Sequence, residues 1–586
     1  MKVDPRLIAF LAVVALLTLW LAWPLLPKRS PAGGRSVQRT RAQTVVAGAG
    51  TLFGLGFGVL AALALLIPQS AGGAFNLARE FVRYSALGVG VVFLLFVLSR
   101  ALPLGLDLLE RRGFVPFVGA RHVRATKSGF LTVISVLSIL GVSLSSCALC
   151  SVTSIMGGFG ADLKRKILNN NAHIVIDAPK STGMPDWEDT LHIVKDSIEK
   201  RGGHATPVVA GDAMGSSSAN TAGVLVRGID PTTIGSVIDL PENIKDENGG
   251  VGDWNFFLEP ERLIDLPDNT VICKGSDGRP ILKPPETHFV DPAVAPEVRD
   301  ILKNPLPLRP AIILGRELAK SLHVCVGEEV TLLSPQGDLG PMGVMPRTRR
   351  FRVAAIFYSG MYEYDASHAY IDLKVAQEFF DLAKENKISE IDLRVTDAER
   401  VAEDSPSVDA AVKLAAARER PEGAAPMPAL RTRDWKEMNK NLFSALKLER
   451  VATFVILSIA IAVASFCIIC TLLLMVTEKG KQIAILKALG ASDGAIMRIF
   501  MLEGIIIGAI GTVFGVMVAL STCTGLKWFG VRLNPEVYYI DRLPVNVDLK
   551  DYGLVALASM LICTLSTVYP ALAASRSHPV EGLRHD

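Results

Sequence analysis

The sequence predicts a helical membrane protein with a large soluble α+β domain inserted between two of its spans. Half of the 586 residues are hydrophobic and a fifth are charged, so the two kinds must be segregated along the chain. Long apolar runs lie toward both ends, and most charges lie in the middle. We therefore expect seven spans, three in an N-terminal extension and four in a core, with the soluble domain between the fourth and the fifth.

Residues 1–106 form the predicted N-terminal extension. Its three apolar runs are Leu7–Leu26, Thr44–Ile67 and Val82–Pro103. Lys28 and Arg29 follow the first run instead of preceding it, and no small-residue cleavage site is present, which favours a retained anchor over a signal peptide. Basic residues cluster after the first and third runs, so the positive-inside rule predicts a periplasmic N-terminus. Residues 107–129 predict an amphipathic elbow on the cytoplasmic membrane surface.

Residues 130–158 predict the fourth span, and residues 159–446 predict a periplasmic domain. Alternating apolar residues predict strands at His173–Asp177, Gly223–Gly228, Glu329–Ser334, Arg350–Phe357 and His368–Leu373. Helical spacing predicts helices at Phe159–Leu168, Asp186–Lys200, Ala311–Leu322, Lys374–Lys384 and Asp434–Leu448. Residues 239–310, rich in Pro, Gly and acidic residues, predict an irregular insertion, and Val401–Met427 predicts a solvated stretch.

Residues 447–586 predict the last three spans, at Val451–Thr477, Ile496–Cys523 and Tyr552–Ala574. Between the first two of these lies a charged segment, residues 478–491, in which apolar or uncharged residues recur at helical spacing. That stripe comprises Gln482, Ile485, Leu486 and Leu489. We expect Gly490 to end this helix in a left-handed conformation and Ser492 to cap the next one. The pattern fits either a docking site for a cytoplasmic protein or a surface turn that reconnects two spans.

The sixth span carries a stripe of glycines that predicts close contact with another helix. The stripe comprises Gly504, Gly508, Gly511 and Gly515. The contacting helix belongs either to this chain or to a second membrane chain. Glu503 lies near the cytoplasmic end of the same span, and we expect it to reach the interface.

Several functions are excluded by the sequence. No Walker A pattern, Gly-x-Ser-x-Gly or His-Glu-x-x-His occurs, and the net charge is only +3, so we expect neither an enzyme nor a nucleic-acid-binding protein. The two Cys-x-x-Cys pairs lie within apolar runs, which favours cysteines that pack in the helix bundle over a metal site. No cofactor is expected. Cys273 and Cys325 form a disulfide if their domain is extracytoplasmic, and otherwise stay free.

The segment MVTEKGKQIAILKALGASDGAIMRIFMLEG resembles permeases that couple to ABC-type ATPases in the lipoprotein-releasing (Lol), macrolide-efflux and cell-division (FtsX) group. The resemblance implies that this helix couples to the ATPase subunit. The implied contact residues are Glu478, Lys479, Gln482, Ile483, Ile485, Leu486, Lys487, Leu489 and Gly490. Where Gln482 stands, the family usually has Glu. Two further blocks, Ser128–Ile176 and Glu328–Gln377, are similar to the Lol branch in particular.

Within the second block, Pro335–Arg349 predicts a protruding loop that matches the carrier-recruiting hook of the Lol family. The implied contact residues are Pro341, Met342, Val344, Met345, Pro346 and Arg347. The prolines would stiffen the loop, the methionines would offer adaptable apolar contacts and the arginine would supply charge. The alternative is an ordinary hairpin tip.

By this resemblance we expect a multi-pass protein of the bacterial inner membrane with a cytoplasmic C-terminus. It would be the permease subunit of an ABC complex that extracts lipoproteins and passes them to a periplasmic carrier. ATP hydrolysis would take place on a separate subunit, and a second permease chain, like or related, would complete the unit within the membrane lipid. The alternatives are a mechanotransmission permease for efflux and an FtsX-like regulator of a cell-wall hydrolase that transports nothing.

Overall fold

The computed structural model describes residues 5–23, 41–66, 77–110, 117, 129–179, 183–199, 202–245, 248–264, 266–267, 269–275, 279–283, 308–340, 343–417, 428–530 and 542–576. The helices that belong to the membrane part, numbered in chain order over the whole protein, are α1 (Pro5–Ala22), α2 (Arg41–Leu66), α3 (Leu77–Glu110), α4 (Gly129–Asn170), α14 (Lys440–Glu478), α15 (Gly480–Ala488), α16 (Asp493–Phe529) and α17 (Leu549–Ser575).

Six helices are long and apolar enough to cross a membrane, counting only the residues that the structure describes. They contain the spans Thr44–Leu66, Glu80–Asp107, Ser135–Asn170, Lys440–Glu478, Asp493–Phe529 and Leu549–Ser575. The first predicted span, Leu7–Leu26, falls on α1, whose apolar part is the shorter helix Phe10–Ala22. Of the predicted elbow at 107–129, residues 107–110 belong to α3 and Gly129 begins α4. The rest, apart from Phe117, lies outside the described residues.

The helices α4, α14, α16 and α17 form a bundle joined by hydroxyl groups. Ser138 of α4 and Thr471 of α14 lie 2.8 Å apart, oxygen to oxygen. Ser559 of α17 lies 3.1 Å from Ser146 of α4 and 2.8 Å from Thr512 of α16. In a lipid environment, association between helices depends on close packing and on such interhelical hydrogen bonds. The hydroxyl groups therefore tie all four helices together.

The glycine stripe packs against helices of the same chain. A Cβ added to Gly504 or Gly508 would collide with side chains of α17, and one added to Gly511 or Gly515 would collide with α4. At Gly515 the nearest atom would be the backbone carbonyl oxygen of Ser143, at 2.4 Å. Of the two partners that the sequence leaves open, the described structure therefore shows the intrachain one.

The expectation that Glu503 reaches the membrane interface is wrong. Its side chain is 0% exposed. Phe500, Glu503 and Ile507 recur at helical spacing on the buried face of α16, so the carboxyl group is directed into the bundle.

The soluble domain consists of a curved sheet with helices on both faces. Its strands are β1 (Ile174–Asp177), β2 (His204–Ser216), β3 (Thr221–Ile229), β4 (Val251–Gly252), β5 (Val271–Lys274), β6 (Pro280–Leu282), β7 (Ala311–Gly315), β8 (Glu329–Gly340), β9 (Gly343–Phe357), β10 (His368–Asp372), β11 (Glu390–Arg394) and β12 (Arg431–Asp434). The helices are α5 (Trp187–Glu199), α6 (Ile234–Val237), α7 (Leu240–Ile244), α8 (Trp254–Leu258), α9 (Arg316–Leu322), α10 (Tyr362–Ser367), α11 (Leu373–Phe379), α12 (Val401–Ala416) and α13 (Trp435–Met438).

The main sheet has the strand order β12-β1-β11-β2-β3-β10-β7-β9-β4. Strand β8 pairs with both β9 and β2, so the sheet curls back on itself. Only β3–β10 and β7–β9 are parallel pairs among the pairings described. Alternate strand residues enter two cores, because successive side chains point to opposite faces. On β7, Ile312 and Leu314 enter one core, and Ile313 enters the other.

Two predictions for this domain are wrong in part. Ala311–Leu322 is not one helix, because its first five residues form β7, buried on both faces, and the helix α9 begins only at Arg316. A continuous apolar run of this length fits a buried strand as well as a helix. Val401–Met427 is not wholly a solvated stretch, since Val401–Ala416 is α12, which buries Val408 and Val412 in the larger core.

Smaller differences concern helix ends. The predicted helix Lys374–Lys384 is shorter in the structure, since α11 ends at Phe379 and Asp381 has a positive φ of 61°. The predicted helix Asp434–Leu448 consists of α13 and the start of α14, separated at Asn439. The insertion 239–310 holds only short helices, the strand β4 and the hairpin β5–β6 among its described residues.

Replacing Gly515 by Ala should destabilise the bundle. The new Cβ would force α16 and α4 apart, and overpacking of this kind costs about 1–3 kcal/mol. Gly494→Ala, on the same helix, is the matched control because nothing lies within 4 Å of its added Cβ. Thermal unfolding in detergent should show a lower midpoint for G515A and an unchanged or higher midpoint for G494A. Equal midpoints would contradict the proposed close contact.

Candidate functional site

The charged segment between α14 and α16 forms a short helix held between two sharp turns. The helix α14 ends at Glu478 and α15 follows at Gly480. Gly490 has φ +97°, which is the left-handed conformation expected for the residue that ends α15. The side chain of Ser492 accepts a hydrogen bond from the backbone N–H of Ala495, so Ser492 is the N-cap of α16. Both local predictions are confirmed.

One face of α15 is anchored in the bundle. Ile483 is only 3% exposed and packs in a cluster with Ile496 and Phe500 of α16 and with Ala571 and Ala574 of α17. The resemblance implied that Ile483 contacts an ATPase, but burial makes it an anchor within its own chain. Leu486 is partly buried against the same cluster, so it is only partly available to a partner.

A partly buried ammonium group holds α15 to its neighbours, and a second one forms a local hydrogen bond. The Lys487 ammonium group donates to the backbone carbonyl oxygen of Ser575 at 2.5 Å and lies 2.8 Å from the Asp493 carboxylate. Lys487 therefore ties α15 to the end of α17 and to the start of α16. The Lys479 ammonium group donates to the side-chain oxygen of Gln482 at 2.9 Å, on the exposed side of the helix.

The opposite face of α15 is uncovered in the chain. Ile485 is 51% exposed and Leu489 is 80% exposed, and Gln482 and Glu478 are also exposed. These residues form the outward face of α15. A short helix with apolar side chains bordered by polar ones fits a groove on a partner protein.

The segment predicted as a protruding loop, Pro335–Arg349, belongs to a β-hairpin formed by β8 and β9. The pairing of β8 with β9 continues to Gly340 and Gly343, and Pro341 and Met342 between them lie outside the described residues. The backbones of Val344 and Met345 belong to β9. Strand pairing restarts after an irregularity between Ser334 and Asp338, where Pro335 has no N–H group to donate. The sequence analysis ended the strand at this proline.

The stem of the hairpin is tied to the body of the domain. The Arg347 guanidinium lies 3.2 Å from the Asp381 carboxylate, and that of Arg349 donates to Glu378 at 2.7 Å. Pro346, directly before Arg347 in the same strand, is exposed. Two ion pairs therefore hold the stem against the domain, and Arg347 is already engaged in one of them.

A disulfide joins Cys273 of β5 to Cys325, four residues before β8. The backbone N–H of Val326 also donates to the carbonyl oxygen of Ile272 at 3.0 Å. The insertion is therefore fastened beside the start of the hairpin. The disulfide is the outcome expected for an extracytoplasmic domain.

Two membrane helices enter the domain side by side. The helix α4 leads into β1, and β12 leads through α13 into α14, and β1 pairs with β12 in antiparallel register. Next to this pairing, the backbone N–H of Trp435 donates to the carbonyl oxygen of His173 at 2.9 Å. We call this region the stalk junction.

Asn170, the last residue of α4, joins the stalk to the loop at Ser359 and to the helix α7. Its side-chain N–H group donates to the carbonyl oxygen of Ser359 at 3.2 Å, and its side-chain oxygen accepts from Asn243 at 2.6 Å. Sequence analysis missed this role, although the run Asn169–Asn171 directly after a long helix is an unusual feature that could have indicated it.

Asp365 lies beside the stalk junction and is 1% exposed. Burial raises the pKa of its carboxyl group to about 6, although the Ser359 backbone N–H donates to the carboxylate at 2.8 Å and opposes this rise. The cause is the cost of removing a charged carboxylate from water.

The comparisons with known proteins agree with this architecture. An FtsX-like permease C-terminal model matches residues 454–579. The lipoprotein-releasing system transmembrane protein LolC of Neisseria meningitidis is 31% identical over 80% of this chain and 99% of the relative. LolC of Xylella fastidiosa is 29% identical over 80% of this chain and 98% of the relative. LolE of Haemophilus influenzae is 28% identical over 46% of this chain and 64% of the relative.

Among solved structures, the extracellular domain of the noncanonic ABC-type transporter YknZ covers 45% of this chain and all of its own. The identity is 12% and the TM-score is 0.24, a likeness too low to support an argument.

A helical bundle with an exposed short helix between two spans and a large domain outside the bundle defines a permease of the FtsX-like class. Within that class, the chain belongs to the LolC/LolE family of lipoprotein-releasing system transmembrane proteins. The resemblance seen in the sequence is confirmed. Members of this family are transport components and not enzymes.

The raised pKa of Asp365 predicts a pH dependence of stability. The folded state binds this proton more tightly than the unfolded state does. The contribution of Asp365 to stability is therefore greatest below pH 4, decreases as the pH rises to about 6 and is constant above that. The decrease amounts to about 3 kcal/mol.

The test compares wild type with Asp365→Asn, which keeps the shape and can still accept the hydrogen bond. The difference in unfolding midpoint, wild type minus variant, should fall between pH 4 and pH 7. Glu403→Gln, at an exposed position of α12, is the control and should show no such trend. A constant difference for D365N would show that the carboxyl group has no raised pKa.

Proposed function

We propose that this chain is the permease subunit of an ABC complex in the bacterial inner membrane that extracts lipoproteins and passes them to a periplasmic carrier. The observation that carries the proposal is α15, whose inward face is anchored through Ile483 while Ile485 and Leu489 face outward. Such a helix can transmit force from a partner that binds its outward face. That partner is an ABC-type ATPase on a separate subunit.

The orientation follows from this assignment. The outward face of α15 lies in the cytoplasm, and the soluble domain, which holds the Cys273–Cys325 disulfide, lies in the periplasm. With α1 counted as a seventh span, the N-terminus is periplasmic and the C-terminus is cytoplasmic. A second permease chain of the same or a related kind completes the membrane unit.

The proposed force path runs through named contacts. Closure of the ATPase pushes on α15, which moves α16 through Ile496 and Phe500 and moves α17 through the contact of Lys487 with Ser575. The bundle passes this movement to α4 and α14. Because β1 and β12 are paired, the two stalks act on the domain together. The hairpin β8–β9 then changes position relative to the membrane.

Extraction requires an energy source and an apolar acceptor. Burial of lipid chains is worth about 0.8 kcal/mol per CH₂ group, so an acylated protein does not leave the membrane spontaneously. ATP hydrolysis supplies the energy, and a carrier recruited by the hairpin tip receives the acyl chains. The efflux and hydrolase-regulating alternatives are not favoured, because the relatives that match most of the chain are named for lipoprotein release.

Substitutions on the outward face of α15 should separate ATPase binding from folding. In the double variant Ile485→Ser/Leu489→Ser, the loss of apolar contact should reduce co-purification of the ATPase at least tenfold. A tenfold weaker affinity corresponds to about 1.4 kcal/mol of binding free energy. Because both side chains are exposed, the unfolding midpoint of the permease should stay unchanged. Leu414→Ser, an exposed leucine of α12 in the soluble domain, should affect neither measurement. Undiminished co-purification would rule out α15 as the docking helix.

Photocrosslinking from the hairpin should identify the carrier. A photoreactive amino acid at Met342 or Met345 in cells should capture a periplasmic lipoprotein carrier, since both positions belong to the segment that matches the carrier-recruiting hook of the family. The same residue at Leu414 is the control and should not capture the carrier. Capture of a cell-wall hydrolase or an efflux adaptor would instead support one of the alternative functions.

A further inference from the structure

The N-terminal helices α1, α2 and α3, here called the N-terminal module, dock on the side of α16. Near the α15 end of the bundle, Leu106 of α3 packs against Ile506 of α16 in a common cluster. Toward the other end, a Cβ added to Gly525 of α16 would lie 2.6 Å from the Leu87 side chain. The two helices therefore run antiparallel and stay in contact over most of the span.

Aromatic contacts close this interface at the end that faces the soluble domain. The rings of Phe10 and Trp528 lie 4.5 Å apart in an edge-to-face arrangement, which is a favourable aromatic geometry. Phe529 is 2% exposed and packs with three alanines of the module, Ala61, Ala64 and Ala86. The end of α16 is thus enclosed by all three helices of the module.

A buried charge pair is located at the same place. Arg83 is 2% exposed and pairs with Glu80 at 2.7 Å. Its guanidinium also approaches the carbonyl oxygen of Gly530 at 3.5 Å, directly after the last turn of α16. A cation at a helix C-terminus interacts favourably with the helix dipole. The Glu80–Arg83 pair lies within α3 and holds the guanidinium in place, and the contact with Gly530 is the part of this group that joins α3 to the end of α16.

The module itself is tightly packed. A Cβ at Gly54 of α2 would lie 2.1 Å from the Thr18 side chain of α1, and one at Gly90 of α3 would lie 2.6 Å from the Phe57 ring of α2. Close backbone approach at glycines leaves little room for the three helices to shift.

We propose that the N-terminal module is a brace for α16, so that α3 and α16 move as one rigid body throughout the transport cycle. The inference rests on the proposed function. The helix α16 directly follows α15, so it is among the first to receive any push from the ATPase. A fifth of this chain has no counterpart in a LolC relative that is matched over 99% of its length. The brace stiffens α16 and replaces none of the four helices of the bundle.

A reversible cross-link between the two helices tests the brace. Leu87→Cys and Gly525→Cys are introduced together into the full chain, in a background that lacks the six free cysteines. Lipoprotein release from proteoliposomes with the ATPase and carrier is then measured in oxidised and reduced samples. The same background without the new cysteines controls for reduction of Cys273–Cys325.

If α3 and α16 move together, oxidation should leave release within about twofold of the reduced sample. A tenfold loss on oxidation, restored by reducing agent, would show that the helices must slide and would overturn the brace.

If the reduced sample also fails to release lipoprotein, the proposed function is at fault. Spin labels at positions 87 and 525 then decide on the brace. A distance that ATP leaves unchanged supports it, and a shift of about one helical turn, ~5 Å, contradicts it.

A second variant tests whether the brace is needed. Ala86 is 0% exposed and packs in the same cluster as Phe529. The large ring introduced by Ala86→Trp should therefore separate the module from α16. We expect at least a fivefold drop in lipoprotein released per ATP hydrolysed, with the ATPase still bound. Leu95→Trp, on an exposed part of the same helix, should behave as wild type. Unchanged release with A86W, in a protein whose cross-link at 87 and 525 no longer forms, would contradict the brace.

Discussion

The close contact of α16 with α4 and α17 is the interaction on which the rest of the structure depends. Gly504, Gly508, Gly511 and Gly515 let the backbone of α16 approach both neighbours, because α16 itself places no side chain at these contacts, and such close packing transmits a displacement. At its start, α16 packs against Ile483 of α15. At its end, it contacts Arg83 of the N-terminal module. A movement at α15 is therefore passed on through packed helices.

The stalk junction explains how two separate membrane helices can act on one domain. Because β1 and β12 are neighbouring strands, α4 and α14 cannot move apart at this end without breaking sheet hydrogen bonds. Asn170 fixes the end of α4 to the loop at Ser359 and to α7. The domain would then tilt or shift as a unit, and its curled sheet and the tied stem would carry the hairpin tip with it. The proposed force path thus connects the exposed face of α15 with the hairpin β8–β9 of the soluble domain.

Sequence analysis could predict the features set by local chemistry. Gly490 and Ser492 determine the turn between α15 and α16, and alternating apolar residues indicated β10. It could not tell a buried strand from a helix at Ala311–Leu322, because β7 is apolar on both faces. Tertiary packing decides which face of α15 the bundle covers. The sequence alone therefore could not show that Ile483 anchors this helix. The burial of Glu503 and the docking of the N-terminal module also depend on contacts between distant segments.

The central claim is that this chain turns ATP hydrolysis into extraction of lipoproteins. The most direct measurement is the amount of lipoprotein released from proteoliposomes that contain the full chain, its ATPase and any second permease chain. Release is followed with and without ATP and with and without the periplasmic carrier. The account predicts soluble lipoprotein–carrier complex only when ATP and carrier are both present. ATP hydrolysis without any lipoprotein leaving the membrane, carrier present, would contradict it.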